Sequence, residues 1–342
     1  MVRWGVLSTA RIGREKVIPA LQKAKNLEVV AIASRDEENA QKVAAELGIS
    51  KAYGSYEALL ADPDIDAIYN PLPNHMHVPM TVAAVKAGKH VLCEKPIALD
   101  AKEARLLLDM PDDRFVMEAF MVRAHPQWQR ALEIVESGEL GKLQSIQAFF
   151  SYNNQDPDNI RNKPAFGGGA LMDVGCYPIV AGRYFYNAEP ERVVSLIDRD
   201  KSFGTDRLTS VMMDFGEGRQ AQFTVSTQSA PYQRINLVGT AKRLEILIPF
   251  NAPAGAETIL RLDSGTMPGD GGLEVERIPA CDQYTLQGEL FSRVVRGEEE
   301  LPYGVADAVQ NMDIIEAILR SERSGSWETV GSPALVSVGV TP

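Results

Sequence analysis

The sequence predicts a two-domain α/β chain. A doubly wound parallel sheet is expected over residues 1–120, and an α+β domain on a large, mostly antiparallel sheet over 121–342. Three observations predict this. From Val2 to Glu118, short apolar runs alternate with amphipathic stretches, the signature of strand–helix–strand units feeding a parallel sheet. Beyond Gly141 the pattern shifts to strand-like runs, several alternating apolar with polar, as in an antiparallel sheet with one covered face. Finally, 342 residues suffice for two domains that each bury a core.

Composition narrows the function. Apolar residues make up 45% and charged residues 24%, ordinary for a globular protein. A net charge of −11 argues against nucleic acid or an anionic membrane as partner, because a phosphate backbone needs a basic footprint. The three cysteines, Cys93, Cys176 and Cys281, have neither metal nor redox spacing, and their odd number suits a reducing compartment. The first apolar run ends at Leu7, too soon for a secretory leader, and none is long enough to span a bilayer. A cytoplasmic location is expected.

The elements follow in order. Val2 to Leu7 reads as a buried strand, then comes the turn Ser8-Thr9-Ala10-Arg11-Ile12-Gly13 and a helix carrying Val17, Ile18, Ala20, Leu21 and Ala24. Dinucleotide-binding turns place three glycines here, for the tight turn, for close approach to pyrophosphate and for helix–strand packing. Ser8 and Ala10 occupy the first two places and only Gly13 remains. Small residues still fill each critical position, and a helix N-terminus would offer N–H groups to a diphosphate. An ordinary βα turn is the plainer alternative. The dinucleotide reading makes the first domain a Rossmann fold.

The next strand, Glu28 to Ala33, ends in Ser34-Arg35. NAD-binding chains put an acidic side chain at this strand end for the ribose 2′-hydroxyl, whereas arginine suits a 2′-phosphate. Ser34 can donate a hydrogen bond and Arg35 a charge-assisted fork. Asp36 is placed to cap the helix starting near Glu37. These residues favour NADP over NAD, although Arg35 could also be a solvated helix-start residue.

A short helix over 55–60 and a strand over Ala67–Asn70 lead into Pro71-Leu72-Pro73-Asn74-His75-Met76-His77, and a helix then runs to Gly88. His75 and His77 make no metal pair, and no third ligand accompanies them, so no metal site is expected. The apolar run His90 to Cys93 delivers Glu94-Lys95-Pro96 to a strand's carboxyl end, the edge where open α/β sheets bind ligands. Burial would bring a lysine there towards proton exchange. A solvated Glu-Lys pair is the alternative. Asp100 opens a helix to Leu108, Phe115 to Glu118 is the sixth strand, and Arg123 and His125 lie just beyond.

Glu94-Lys95-Pro96, at this distance behind a nucleotide-binding turn, resembles the signature of the glucose-fructose oxidoreductase / inositol dehydrogenase (Gfo/Idh/MocA) oxidoreductase family. The resemblance covers nearly the whole chain. It implies that Lys95 is catalytic and touches both substrate and nicotinamide. It also implies that Pro71, Leu72, Asn74, His75, Glu94 and Arg161 join Ser8, Thr9, Ala10, Arg11, Ile12, Ser34 and Arg35 around NADP. Arg123 and His125 would line the substrate pocket, where Arg123 could equally pair with a carboxylate across the domain interface. A cis Lys95–Pro96 peptide is a further implication.

In the second domain, a helix over 127–135 and a turn at 137–141 precede strand candidates over 143–151, 192–197, 208–215, 220–227, 234–239 and 243–248. Two helices, over 283–295 and 306–320, complete it. The stretch Asn251 to Gly272, rich in Gly, Pro and Ala, is expected to be an exposed loop. Asn159-Ile160-Arg161 leads to Gly167-Gly168-Gly169 and Ala170-Leu171-Met172-Asp173-Val174-Gly175-Cys176-Tyr177. Asp173 and Tyr177 lie four apart on one helical face, so a carboxylate and a phenol can address a common point with Lys95, a set suited to moving a hydroxyl proton. This stretch is similar to the family's glycine-rich catalytic helix. Its larger branch has histidine where this chain has Tyr177, which puts inositol in doubt. Tyr177 instead resembles the subgroup of glucose-fructose oxidoreductase, dimeric dihydrodiol dehydrogenase, NADP-dependent xylose dehydrogenase and sugar ketoreductases, in which the tyrosine exchanges the proton.

The expected activity is an NADP(H)-dependent oxidoreductase of a sugar or cyclic polyol, with an aldose such as xylose or glucose as substrate. A trans-dihydrodiol dehydrogenase or nucleotide-sugar ketoreductase is the alternative, and a non-catalytic NADP-binding regulator the rival outside the class. Lys95, Tyr177 and Asp173 would be catalytic, and Lys95, Arg123, His125, Asp173 and Tyr177 would meet the substrate. A homodimer or homotetramer formed through the second domain's sheet is also implied.

Overall fold

The computed structural model describes residues 1–265 and 272–331. Its first sheet joins β1 (Val2–Leu7), β2 (Leu27–Ala33), β3 (Lys51–Tyr53), β4 (Ala67–Asn70), β5 (His90–Cys93) and β6 (Val116–Glu118). All are parallel, in the order β3-β2-β1-β4-β5-β6. The chain crosses over between β1 and β4, and a crevice opens there beyond the strands' carboxyl ends. The crossovers carry α1 (Ile18–Leu21), α2 (Glu37–Leu47), α3 (Tyr56–Leu60), α4 (His77–Lys86) and α5 (Ala101–Arg105). A π-helical turn over Gly13–Val17 leads into α1. Asp36, Ser55 and Asp100 cap the helices they precede, each accepting a backbone N–H three residues on.

The second sheet has nine strands: β7 (Leu143–Asn153), β8 (Arg192–Arg199), β9 (Asp206–Asp214), β10 (Gln220–Ser226), β11 (Gln228–Gly239), β12 (Arg243–Ile246), β13 (Thr258–Asp263), β14 (Leu273–Ile278) and β15 (Glu328–Thr329). They run in the order β14-β13-β12-β11-β7-β10-β9-β8-β15, antiparallel except for β7 beside β10. With them come α6 (Pro126–Glu136), α7 (Cys176–Tyr186), α8 (Gln283–Val295) and α9 (Val305–Ser324). The expected loop over 251–272 is corrected in part, because it contains β13. Alternation buries Leu260 and Leu262 in the sheet, which the Pro/Ala/Gly-rich residues before them conceal. Residues 266–271 of that loop lie outside the described residues.

The last helices tie the sheets together. α8 returns to the first sheet, where Phe291 meets Trp4 edge-on with centroids 5.6 Å apart and Ser292 Oγ accepts from the Trp4 indole N–H at 3.1 Å. Phe291 and Tyr303 thus close a core shared with Val2, Trp4, Val6 and Leu27. Gly288 allows this approach, since a Cβ there would stand 2.1 Å from the fully buried Leu21. Gly288→Ala is expected to cost about 1–3 kcal/mol through overpacking, read as a lowered denaturant midpoint at unchanged m-value. α9 bridges the other side: Asp313 pairs with Arg105 at 2.6 Å, and Glu316 accepts from Ala101 N at 2.8 Å. Among the described residues no helix is long and apolar enough to cross a membrane.

Candidate active site

The turn after β1 begins with Ser8 at φ 81°, and its hydroxyl accepts from Ala10 N at 3.0 Å. Ala10, Arg11 and Ile12 follow along the wall of the crevice. Thr9 sits behind them and accepts from Asn39 Nδ2 at 2.8 Å. At the end of β2, Ser34 Oγ accepts from Asp36 N at 3.2 Å and Arg35 is exposed beside it. The Asp36 carboxylate is engaged in capping α2, so the nearest acidic group is turned from the role of a ribose acceptor. A positive, forked side chain at this strand end fits a 2′-phosphate.

Lys95 leaves β5 through a cis bond to Pro96. Glu94 is half-buried and accepts from the Tyr69 hydroxyl at 2.7 Å. Burial pushes the Glu94 carboxyl up, against the pull of the Lys95 charge. His77 joins two loops here, its Nδ1 lying 2.8 Å from Pro96 O and its Nε2 2.6 Å from Leu72 O. Burial lowers its pKa to about 4, against the pull of the two carbonyl acceptors. Beneath the same loop, Glu118 Oε1 accepts from Ile97 N at 2.7 Å. Burial first, then nearby Asp307, pushes this carboxyl up to about 8.

The glycine run brings the second domain to this edge. Gly167 O accepts from Asn74 Nδ2 at 3.1 Å, and Gly169 N donates to Arg161 O at 2.8 Å. A Cβ on Gly168 would stand 2.5 Å from Arg161 O, so this close approach excludes any side chain. Gly168→Ala is expected to displace the segment carrying Arg161 and raise the KM for substrate; an unchanged KM would show that the segment relaxes without consequence. Beyond the glycines, a π-helical turn over Leu171–Gly175 leads into α7. Such turns recur at functional sites.

Asp173, in that turn, gathers three donors. Lys95 Nζ lies 2.7 Å from its backbone O and 3.3 Å from Oδ1. Oδ2 accepts from Arg161 Nε at 3.0 Å and from the Tyr152 hydroxyl at 2.5 Å. Burial would push the Asp173 carboxyl up, but the Lys95 and Arg161 charges and the Tyr152 hydroxyl hold it well below the usual range. Burial likewise opposes the charge on Lys95, yet Asp173 keeps its ammonium more basic than an ordinary lysine. Tyr177 points its hydroxyl towards Met121 Sδ, 3.7 Å away, with Lys95 Nζ 5.0 Å from its ring centroid. Burial pushes this phenol well above its ordinary range, so it is protonated at neutral pH.

These groups line one cleft of about 690 Å³ with Ala10, Arg11, Ile12, Pro71, Leu72, Asn74 and Glu94. His75 is partly buried next to it, its ring 4.8 Å from that of Phe166, and its Nδ1 is buried without a partner. Arg123 and His125, expected at the substrate, are not brought there. A 3₁₀ turn over Met121–Ala124 swings Arg123 to Asp307 at 3.1 Å and over the Tyr303 ring at 3.7 Å. His125 is buried as the cap of α6, accepting from Gln127 N at 3.0 Å through Nδ1, with Nε2 3.4 Å from Cys281 Sγ. Conversely, Tyr152, Asn154, Phe166, Asn251 and Tyr284 line the cleft without being given a role by the sequence, as does Asn159 at the head of the motif quoted above. Tyr152 lies in the alternating pattern of β7, and Tyr284 at the start of α8 has no local signal. No group of three or more metal-ligating side chains occurs among the described residues.

Comparisons with known proteins agree with this architecture. A family model described as "Oxidoreductase family, NAD-binding Rossmann fold" matches residues 2–120, and one described as "GFO/IDH/MocA C-terminal domain" matches 128–245. An uncharacterised oxidoreductase of Rhizobium meliloti is 47% identical over 96% of this chain and 99% of its own length. A D-xylose 1-dehydrogenase (NADP(+)) of Haloferax volcanii is 40% identical over 94% of this chain and 98% of its own. Among solved structures, a 3-ketoreductase from Actinomadura kijaniata in complex with NADP and TDP-benzene superposes with a TM-score of 0.87. It is 28% identical and covers 94% of this chain and 97% of its own.

Proposed function

This chain belongs to the Gfo/Idh/MocA oxidoreductase family, and from that premise we propose that it is an NADP(H)-dependent dehydrogenase of a free aldose. The observation that carries this reading is the meeting of Lys95, Asp173 and Tyr177 in one cleft with the β1 turn, Ala10 to Ile12. When bound, NADP supplies the redox chemistry, a hydride exchanged with the carbinol carbon. Ser8 to Ile12 would hold its diphosphate, Ser34 and Arg35 its 2′-phosphate, and Pro71, Leu72, Asn74, His75, Glu94 and Arg161 its ribose and nicotinamide side. Tyr177 gives its phenolic proton to the oxygen when a carbonyl is reduced and takes it back when the alcohol is oxidised. Lys95 orients that oxygen and steadies the charge on it.

The cleft's charge supports an uncharged sugar. Of its cations, Lys95 and Arg161 are committed to Asp173 and Arg11 pairs with Glu15 at 2.9 Å, and Asn154, Asn159 and Asn251 supply neutral hydrogen-bonding groups suited to hydroxyls. The relative's activity on D-xylose supports the same choice over a nucleotide sugar. Homo-oligomerisation belongs to this reading too. Leu196 is 77% exposed, and with Met212 and Tyr232 it lines a hollow of about 510 Å³ on the second sheet.

Two measurements test the proposal. Aldoses, ketoses and trans-dihydrodiols are assayed with NADP by nicotinamide absorbance, and turnover is expected with an aldose. Turnover confined to diols would refute the substrate class. Arg35→Asp is expected to weaken NADP binding by about 1.5–3 kcal/mol, the scale of a hydrogen bond to a charged group. NAD binding should change much less. Equal losses for both cofactors would remove Arg35 from the phosphate site.

A further inference from the structure

We propose that Tyr152 is a positioning residue of this site, acting through Asp173. The inference rests on the acid–base roles given to Lys95 and Tyr177 above. Tyr152 lies near the end of β7, one residue before Asn153, while Asp173 sits in the π-helical turn before α7. Their contact therefore fixes the catalytic helix to the sheet at the floor of the cleft.

The geometry divides the work between the two carboxylate oxygens. Oδ1 faces Lys95 Nζ at 3.3 Å, and Oδ2 is held by Arg161 Nε at 3.0 Å and the Tyr152 hydroxyl at 2.5 Å. Arg161 is 44% exposed along its side chain and bound by one nitrogen, so it restrains the carboxylate loosely. Tyr152 carries its hydroxyl on a partly buried ring in a central strand, with few torsions to release. Burial and then the Asp173 charge push its phenol far above the ordinary range, so it acts as a donor at every working pH. Removing that donor frees the carboxylate to rotate about its last torsion. Rotation takes Oδ1 away from Lys95, and the ammonium beside the Tyr177 ring keeps only its 2.7 Å bond to the Asp173 backbone O. Tyr152 thereby sets how much of the carboxylate's charge the lysine feels, without itself exchanging the substrate's proton.

A double-mutant cycle tests this role, because a merely structural tyrosine would not show the same coupling. Tyr152→Phe keeps the ring volume and is expected to lower kcat roughly 10- to 100-fold, the scale of a lost hydrogen bond to a charged group. The sugar KM should stay within about two-fold, the mark of an interaction that matters at the transition state. With Asp173 already changed to Asn, adding Tyr152→Phe should cost less than about two-fold, because the route through the carboxylate is gone. Multiplying losses in the double variant would overturn the proposal, as would a raised sugar KM at unchanged kcat, which makes Tyr152 a direct substrate contact. Lys95→Ala run in parallel separates the two readings. Full turnover in that variant refutes the proposed chemistry and the positioning role with it. An inactive Lys95→Ala beside multiplying Tyr152 and Asp173 losses refutes the positioning role alone.

Discussion

Turnover by a Tyr177→Phe variant is expected to fall by roughly 10²–10⁴-fold, the usual weight of general acid–base catalysis. Folding stability should barely change. The substitution keeps the ring, which packs between Phe120, Phe150 and Phe250, and removes a hydroxyl whose polar neighbour is the Met121 thioether. NADP affinity should hold as well, because the phenol has no part in the phosphate cradle. Steady-state kinetics and a cofactor titration on the same sample separate these outcomes. Near-normal turnover would remove the proton role from Tyr177, and His125 could not take it up because it is committed to capping α6.

Lys95→Ala is expected to cost at least as much turnover as Tyr177→Phe, and it should also disturb the fold. The side chains of Lys95 and Asp173 are only 12% and 13% exposed, and Glu94 is half-buried beside them. Breaking a buried pair costs about 3–5 kcal/mol; Arg161 stays with Asp173, so the loss should fall at the lower end. Because Lys95 and Tyr177 share one task, the double variant should lose far less than the product of the single losses. A denaturant midpoint equal to that of the parent chain would contradict the buried-pair argument. Multiplicative rate losses would contradict the shared task.

Much of the first sheet was legible because its strands are covered on both faces. β1, β4 and β5 therefore read as mostly apolar runs, interrupted only by Arg3 and ending or starting in Asn70 and His90. Asp36 and Asp100 announced their helices because caps depend on local chemistry. β3 gave little signal, since Lys51, Ala52 and Tyr53 are all half-buried. In the site, Lys95, Asp173 and Tyr177 could be found from spacing and resemblance, but Tyr152 could not. Which donor an aspartate meets across 21 residues is decided by how β7 lies under the helix. Where Arg123 and His125 point was not legible, because a sequence gives position along the chain and not direction; of the two readings offered for Arg123, the carboxylate partner is the one formed. One 3₁₀ turn points Arg123 at Asp307, 184 residues away.

The return of α8 to the first sheet bears on how the chain matures on the ribosome. Trp4 waits for Ser292, 288 residues later, before its indole N–H finds its partner, and Phe291 completes the same core. At roughly 5–20 residues per second, synthesis of that interval takes on the order of 15–60 s. For that time the nascent first sheet exposes an apolar face, a state open to chaperones and to misassembly. A fragment ending near residue 120 should therefore be recovered as aggregate, and adding α8 in trans as a peptide should raise its soluble yield.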